Sequence, residues 1–192
     1  MTRLHLVRHG PTHAKSMVGW SDLPADLSDT AAIARLSAHL PENALVVSSD
    51  LQRATATADA IQASRARLNH RTDLREIHFG DWEMRAFKDI EAEDPDRIRA
   101  YWETPGDVRP PGGESWHEVC ARVDAAVDQL MADHPGQDLI IVVHFGVILT
   151  QVQRALQLAS YDAFGHRIDN LSVTQITRLD TGWKVGPINH LP

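Results

Sequence analysis

Five short segments of the chain carry the apolar patterns that are typical of β-strands. The first alternates apolar and polar positions, and the next two are almost continuously apolar, as in strands covered on both faces. The last two flank Asp180-Thr181-Gly182, a sequence typical of a hairpin turn. A further short strand is predicted over residues 67–72. The five main strands are residues 2–7, 44–48, 138–143, 171–178 and 183–188.

Segments with helical spacing of apolar residues separate these strands. Ile33, Leu36 and Leu40 share one face of the first predicted helix. We expect Ser28 to cap this helix and Pro41 to end it. The other predicted helices are residues 51–63, 115–133 and 147–158.

Residues 80–113 interrupt the alternation of strands and helices. This stretch is polar with scattered aromatic residues and ends in a connection rich in proline and glycine, so it predicts one or two short helices that cover a site. The remaining order is β-α-β-α-excursion-α-β-α-β-β. It predicts one α/β domain over residues 1–192, a three-layer α/β/α sandwich with a mostly parallel, mixed sheet.

Composition and charge narrow the classes of function. The 192 residues carry a net charge of −7, which argues against broad attraction to nucleic acid or anionic lipid. The single cysteine, Cys120, excludes an internal disulfide and a cysteine metal cage, and we expect it to act as a small buried hydrophobe. No apolar segment approaches the roughly 20 residues that span a bilayer. We therefore expect a cytoplasmic protein.

Cations and imidazoles follow the ends of the first three predicted strands. Arg8 and His9 end the first strand, Arg53 lies in the first turn after the second, and His144 follows the third. Parallel strands bring their carboxyl ends to one edge of a sheet, where ligands bind. Two arginines and two histidines at that edge suit a tetrahedral dianion such as a phosphate group. A neutral imidazole there is also a nucleophile.

Cleavage of a phosphate ester also needs a proton for the departing oxygen, and Glu76 and Asp81 are the candidate donors. A histidine metal site is the competing interpretation, because three histidines recur at helical spacing. A Gly-Pro pair between them forbids that helix, which argues against this metal site. The sequence has no Walker loop and no metal-binding carboxylate set, so we expect neither a metal nor a cofactor. The three histidines are His5, His9 and His13.

The motifs of this chain, and their order along it, resemble those of the histidine phosphatase superfamily, which includes the phosphoglycerate mutases. Arg8-His9-Gly10-Pro11-Thr12 is similar to the Arg-His-Gly-x-Thr signature of that family, and the resemblance runs from residue 4 to about residue 150. It implies a phosphoglycerate mutase-like fold. The other matching segments are residues 48–58, 74–76, 79–82 and 111–115 and the strand that ends at His144.

The resemblance implies a role for each candidate residue. His9 would be the nucleophile that becomes phosphohistidine. Arg8 and Arg53 would hold the phosphoryl oxygens, with His144 as a further phosphate ligand. Glu76 would protonate the leaving oxygen and then activate water.

Three further positions lie beside these residues, and two of them, Lys15 and Phe145, depart from the family pattern in ways that bear mainly on substrate choice and rate. Thr12 is expected to orient the signature loop or to contact phosphate. Lys15 stands where the family usually has asparagine, and it either adds charge to the pocket or points outward. Phe145 stands where glycine usually follows the second histidine, with Gly146 displaced by one, so we expect a reshaped pocket beside His144.

Two short segments favour one substrate among small phosphorylated metabolites. Residues 80–85 and 166–170 resemble those of α-ribazole phosphatases, which remove the 5′-phosphate of α-ribazole phosphate in cobalamin biosynthesis. The alternatives are a broad small-ester phosphatase, a phosphoglycerate mutase, for which the chain is short, and a non-catalytic module that binds a phospholigand. The sequence leaves open whether the chain forms a homodimer.

Overall fold

A computed structural model describes residues 1–192 and contains a five-stranded mixed sheet. The strands are β1 (Thr2–Arg8), β2 (Leu45–Ser48), β3 (Leu139–Val143), β4 (Val173–Leu179) and β5 (Gly182–Val185). Their order across the sheet is β2-β3-β1-β4-β5. β1 and β2 both pair with β3 in parallel, whereas β4 runs antiparallel to β1 and to β5. The predicted α/β fold with a mixed sheet is confirmed.

Seven α-helices connect or follow these strands. They are α1 (Thr30–His39), α2 (Gln52–Ile61), α3 (Phe87–Glu93), α4 (Pro95–Glu103), α5 (Trp116–Asp133), α6 (Phe145–Leu156) and α7 (Ser160–Ala163). α5 begins as predicted at Ser115, whose hydroxyl and the Glu118 carboxylate form a capping box. No helix is both long enough and apolar enough to cross a membrane.

Several predicted boundaries were wrong. Asp29, not Ser28, caps α1, because the Ser28 amide donates to Asp26 and the helix starts one residue later. α6 starts at Phe145 rather than at residue 147. β5 ends at Val185, and beyond it the Gly186 amide donates to the Gln175 carbonyl while the Pro187 carbonyl accepts from the Gln175 amide, so the pairing continues as a bulge and not as a regular strand.

Two further predictions had opposite outcomes: the strand predicted over residues 67–72 is absent, and the short helices predicted within residues 80–113 are present. Residues 67–72 form no regular strand, since only two isolated bridges, at Arg67 and Arg71, join them to the β2 edge. The excursion contains α3 and α4, which agrees with the expected short helices.

The sheet is covered on both faces, which gives three layers. On one face, a cluster of 25 buried residues joins the sheet to α5, α6 and the helices of the excursion. On the other face, a cluster of 11 buried residues joins it to α1 and α2. Cys120 is half-buried against the larger cluster. Apolar side chains dominate both clusters, so the buried polar and charged residues grouped at the strand ends indicate a site.

Candidate active site

The carboxyl ends of β1, β2 and β3 meet at one edge of the sheet, as predicted. Arg8 pairs with Val143 across β1 and β3, so His9 and His144 leave the sheet side by side. The His9 amide donates to the Val143 carbonyl at 3.0 Å, and the two imidazole rings lie 5.1 Å apart, centroid to centroid. The register of two parallel strands therefore fixes the separation of the two histidines.

His9 is buried and holds its ring in one orientation. Its Nδ1–H donates to the Gly10 carbonyl at 2.7 Å, and because a carbonyl only accepts, the proton lies on Nδ1. Nε2 therefore keeps its lone pair. Burial, together with the charge of Arg53, lowers the pKa of His9 to about 3, so the ring is neutral at physiological pH. The following turn is tied to α2, since the Gly10 amide donates to the Thr57 hydroxyl at 2.9 Å.

His144 is fully buried next to His9. Its Nε2 lies 2.9 Å from the Ser49 hydroxyl, whereas its buried Nδ1 has no partner within the protein. Burial lowers the pKa of His144 well below its ordinary value, and the neighbouring His9 and Arg53 act in the same direction. The residue is thus a neutral imidazole with one ring nitrogen left for a ligand.

Arg53 lies in the first turn of α2 and is only 1% exposed. Its Nη1 donates to the Ser21 carbonyl at 2.8 Å and its Nη2 to the Gly19 carbonyl at 2.6 Å. Burial lowers its pKa, yet a guanidinium keeps its proton at neutral pH. The structure therefore holds this cation rigidly at the edge where the strands end.

Glu83 organises the loop that holds Arg53. Its carboxylate accepts hydrogen bonds from the amides of Gly19, Trp20 and Ser21 and from the Ser21 hydroxyl. Burial opposes its ionisation, but these hydrogen bonds outweigh burial and lower its pKa. Sequence reasoning assigned Glu83 no role, and the only signal was its place within residues 80–85.

Arg8 is the second cation at this edge and is half-buried. Its Nη1 donates to the Ile168 carbonyl at 2.6 Å, while its buried Nε has no protein partner. Its guanidinium carbon lies 5.6 Å from the centroid of the Phe145 ring, within cation–π range. Burial lowers the pKa of Arg8, which stays charged for the same reason as Arg53.

Glu76 is the buried acid of the site. Its Oε1 accepts from the amides of Ile77 and Gly146, each at 3.0 Å. Burial raises its pKa above the ordinary value, although these hydrogen bonds and the charges of Arg53 and Arg8 oppose the shift. A carboxyl group with a raised pKa keeps its proton to a higher pH than an ordinary glutamate, which suits a proton donor.

Gly146 is needed for the approach of that carboxyl group. A Cβ atom at this position would lie 2.5 Å from Glu76 Oε1 and 2.9 Å from the Ile77 side chain. The displaced glycine of the sequence therefore has a steric reason, and Phe145 before it is free to be large.

An ion pair between Arg122 and Glu114 fixes the backbone around Glu76. Arg122 on α5 donates to the carbonyls of Asp73, Arg75 and Glu76 and forms a two-bonded pair with Glu114 at 2.7 Å. Glu114 lies in the segment 111–115 that the sequence singled out, but nothing in the sequence pointed to Arg122. The pair holds the segment that carries the acid.

A cavity of about 200 Å³ joins most of the predicted residues. Arg8, His9, Thr12, Arg53 and Glu76 all line it, and His144 lies buried directly against His9. Larger surface cavities, including one of about 590 Å³ between α1 and α2, contain none of these residues.

Two sequence candidates lie outside this cavity. Lys15 is exposed and does not line it, although its neighbours Ala14 and Ser16 do. Asp81, the alternative proton donor, is exposed and likewise does not line it, so Glu76 is the one of these two carboxyl groups that lies at the cavity. No three His, Cys, Asp or Glu side chains converge in a geometry that would hold a metal ion.

The fold and this edge of the sheet define a phosphoglycerate mutase-like α/β protein. The Bacillus stearothermophilus YhfR structure matches the whole chain with a TM-score of 0.91 at 28% identity and is itself covered over 98% of its length. The family model of the histidine phosphatase superfamily (branch 1) matches residues 4–190. The chain belongs to the histidine phosphatase superfamily.

Two relatives with assigned activities cover most of the chain. The adenosylcobalamin/α-ribazole phosphatase of Salmonella typhimurium is 31% identical over 174 residues, which is 87% of this chain and 86% of the relative. The glucosyl-3-phosphoglycerate phosphatase of Mycobacterium tuberculosis is 34% identical over 194 residues, 91% of this chain and 85% of the relative. Both relatives are phosphatases, and their substrates differ.

Proposed function

We propose that the protein is a phosphomonoesterase that hydrolyses a small phosphate ester through a phosphohistidine at His9. The observation that carries the proposal is the lone pair at Nε2 of a neutral, buried His9 in a cavity with two arginines and a buried acid. A nucleophile, fixed cations and a protonated carboxyl are the parts that phosphoryl transfer needs.

The first half-reaction transfers the phosphoryl group to the protein. Arg8, Arg53 and Nδ1 of His144 hold its oxygens and stabilise the charge of the transition state. Nε2 of His9 attacks phosphorus, and the bond from phosphorus to the ester oxygen breaks. Glu76 gives its proton to that oxygen, so the leaving group departs as an alcohol.

The second half-reaction restores the protein. Glu76, now a carboxylate, takes a proton from water as the water oxygen attacks phosphorus. The bond between phosphorus and His9 breaks, and inorganic phosphate leaves from the two arginines. Glu76 is protonated again, so the proton balance closes over one turnover.

We propose α-ribazole 5′-phosphate as the substrate, which would place the reaction in cobalamin biosynthesis in the cytoplasm. The 31% identity to an α-ribazole phosphatase and the resemblance of residues 80–85 and 166–170 support this choice. The 34% identity to a glucosyl-3-phosphoglycerate phosphatase supports a second candidate substrate.

The test uses the purified protein with a panel of 32P-labelled α-ribazole 5′-phosphate, glucosyl-3-phosphoglycerate and 3-phosphoglycerate. We expect release of inorganic phosphate and a rapidly quenched adduct that is labile in acid and stable in base. Isomerisation of phosphoglycerate without net phosphate release would identify a mutase instead. Binding of phosphate or vanadate without turnover would identify a non-catalytic module, and either result would overturn the proposal.

A methyl group at residue 146 is expected to impair the reaction. In Gly146→Ala, the new Cβ would displace the Glu76 carboxyl or the Ile77 side chain, because it would lie 2.5 Å and 2.9 Å from them. Displacement of the acid by about 1 Å predicts a loss of about 100-fold in kcat. The measurement is the steady-state rate of phosphate release.

Gly106→Ala is the matched control for this substitution. A Cβ at Gly106 meets its nearest neighbour, the His117 ring, at 3.4 Å, which is an ordinary contact. The control is expected to keep the native rate. Native kcat in a folded Gly146→Ala variant would show that the placement of Glu76 does not limit turnover.

A further inference from the structure

We propose that Ser49 is a positioning residue for His144. Its hydroxyl donates to Nε2 of the His144 ring and thereby keeps the single ring proton on Nδ1, where it donates to a phosphoryl oxygen. The inference rests on the proposed function, because it concerns how the same site holds the phosphoryl group during transfer.

The position of one proton decides whether His144 attracts or repels a phosphoryl oxygen. Burial lowers the pKa of His144, so the ring is neutral and carries a proton on one nitrogen and a lone pair on the other. With the proton on Nδ1, that nitrogen is a hydrogen-bond donor. With the proton on Nε2, Nδ1 would turn a lone pair towards the lone pairs of the oxygen.

The hydrogen bonds of the Ser49 hydroxyl distinguish these two arrangements. Its Oγ lies 2.9 Å from Nε2 of His144 and accepts a hydrogen bond from the Leu51 amide at 3.2 Å. An amide N–H only donates, so the one proton of the hydroxyl stays available for Nε2. Ser49 and His144 are both fully buried, so solvent is not an alternative partner for either side chain.

Only a proton on Nδ1 of His144 pairs this hydroxyl completely. Ser49 then donates to Nε2, and the one group without a partner in the protein is the Nδ1–H, for which a phosphoryl oxygen is the acceptor. A proton on Nε2 would leave two buried groups unpaired, the Ser49 hydroxyl proton and the Nδ1 lone pair. Buried polar groups are almost always paired, which favours the first arrangement.

Ser49 is held in place by the two elements that it connects. Its amide donates to the carbonyl of Val142, which lies on β3 two residues before His144. Its hydroxyl accepts from Leu51, the residue that precedes α2 and therefore Arg53. The hydroxyl thus has a fixed position between the strand that leads to the imidazole and the helix that carries the cation.

The two histidines of the site then have opposite chemical roles. The Gly10 carbonyl, which only accepts, holds the proton of His9 on Nδ1 and leaves the Nε2 lone pair for attack on phosphorus. The Ser49 hydroxyl donates to His144 and leaves an N–H for a phosphoryl oxygen. One neutral imidazole is therefore a nucleophile, and the other is a donor that stabilises the charge of the transition state.

NMR spectroscopy of the native protein tests the position of the proton directly. In protein labelled with 15N-histidine, long-range 1H–15N correlation distinguishes protonated from unprotonated ring nitrogens. The His144 signals are assigned by their loss in His144→Ala and by contacts with the His9 ring, whose centroid is 5.1 Å away. We expect a protonated Nδ1 and an unprotonated Nε2 at neutral pH. A protonated Nε2 would overturn the proposal.

Ser49→Ala removes the donor that fixes the His144 proton. We expect kcat to fall about 100-fold, as for the loss of one oriented donor to a transition state, while KM changes less than about threefold. In the same variant, the Nδ1–H signal of His144 should weaken or disappear. Ser49→Thr keeps the hydroxyl and should recover most of the rate. Native kcat in a folded Ser49→Ala variant would contradict the proposal.

Ser48→Ala is the matched control for loss of a buried hydroxyl. Ser48 is also fully buried, and its Oγ lies 3.2 Å from an imidazole nitrogen, but that imidazole is the exposed His70, which does not line the cavity. This variant is expected to keep the native kcat and the native His144 signals. An equal loss of rate in Ser48→Ala would show that a general disturbance of the end of β2, and not the proton on His144, is responsible.

A double variant separates positioning from a general structural role. If Ser49 acts through His144, adding Ser49→Ala to His144→Ala should change kcat by less than about threefold, because the ring to be positioned is already absent. A double variant that shows the full product of the two single losses would overturn the proposal.

The outcomes separate this inference from the proposed function. The NMR measurement needs no substrate, so a protonated Nδ1 in a protein that forms neither phosphate nor an adduct would refute the proposed function alone. Turnover through the phosphohistidine with a protonated Nε2, or with a fully active Ser49→Ala variant, would leave the proposed function standing and refute the role of Ser49.

Discussion

His9→Ala is expected to abolish the phosphohistidine adduct and to lower kcat by about 10⁴-fold or more. The variant lacks Nε2, the only unprotonated nitrogen of His9, which faces a cavity with Arg8 and Arg53. The arginines remain, so the variant is expected to bind inorganic phosphate still. Rapid-quench labelling with 32P-ester measures the adduct, and isothermal titration with phosphate measures the retained binding.

His117→Ala is the control for loss of an imidazole. His117 lies on the exposed surface of α5, where it pairs with Asp107. It does not line the cavity. This variant is expected to label and turn over as the native protein does. A base-stable, acid-labile adduct that survives in His9→Ala would show that another residue carries the phosphoryl group.

Glu76→Gln is expected to have the second-largest effect, and that effect depends on the leaving group. The amide oxygen can still accept from the Ile77 and Gly146 amides, which both donate to Oε1 of the native carboxyl group, so the side chain keeps its place. It has no proton to give. We therefore expect adduct formation from benzyl phosphate to slow by about 10²–10⁴-fold. 4-Nitrophenyl phosphate, whose leaving group needs no proton, should lose far less.

The pH dependence of adduct formation follows from two pKa shifts of opposite sign. Burial lowers the pKa of His9 to about 3, so the nucleophile is neutral at any pH well above 3. Burial raises the pKa of Glu76, so the acid stays protonated to a higher pH than an ordinary glutamate and the rate falls as pH rises through that raised value. Single-turnover rates between pH 4 and 9 should show this alkaline decline for benzyl phosphate in the native protein and lose it in Glu76→Gln.

Two controls accompany the Glu76 experiment: the unfolding of the Glu76→Gln variant and the activity of a surface variant. A raised folded-state pKa means that ionisation of Glu76 costs stability as pH rises, so Glu76→Gln should unfold at neutral pH no more easily than the native protein. Glu103→Gln, at the exposed end of α4, is expected to keep the native rate and pH profile. An alkaline decline that persists in Glu76→Gln would assign the proton to another group.

The local sequence was sufficient for the five strands, the main helices and most of the candidate site, although residues 67–72 form no regular strand and several boundaries differ. Continuous apolar runs such as residues 138–143 predict buried strands because no other short element hides such a run. Arg8, His9 and His144 follow strand ends directly, so their positions depend only on strand direction. Arg53 lies in the first turn of the helix that follows β2, so its position at this edge also depends only on the local sequence. The roles of these residues in turnover stay predictions until the variants are measured.

Tertiary structure decided what depends on distant parts of the chain. The resemblance implied Glu76 as the proton donor, and the tertiary structure supplies the physical reason, since Glu76 and Asp81 lie in one short segment and only Glu76 is buried and lines the cavity. The exposed position of Lys15 likewise depends on the conformation of the loop that carries it. Neither follows from residue type or spacing.

The supports of the site were also beyond the sequence. Glu83 holds the loop under Arg53 across more than 60 residues of chain, and Arg122 holds the Glu76 segment across 46. Such pairs leave no periodic signal, because each is set by where two remote segments pack. The sequence by itself determined which groups stand at the ends of its strands. The order β2-β3-β1 and the packing around it decided that these groups share one cavity, because strand order depends on contacts between segments more than 90 residues apart.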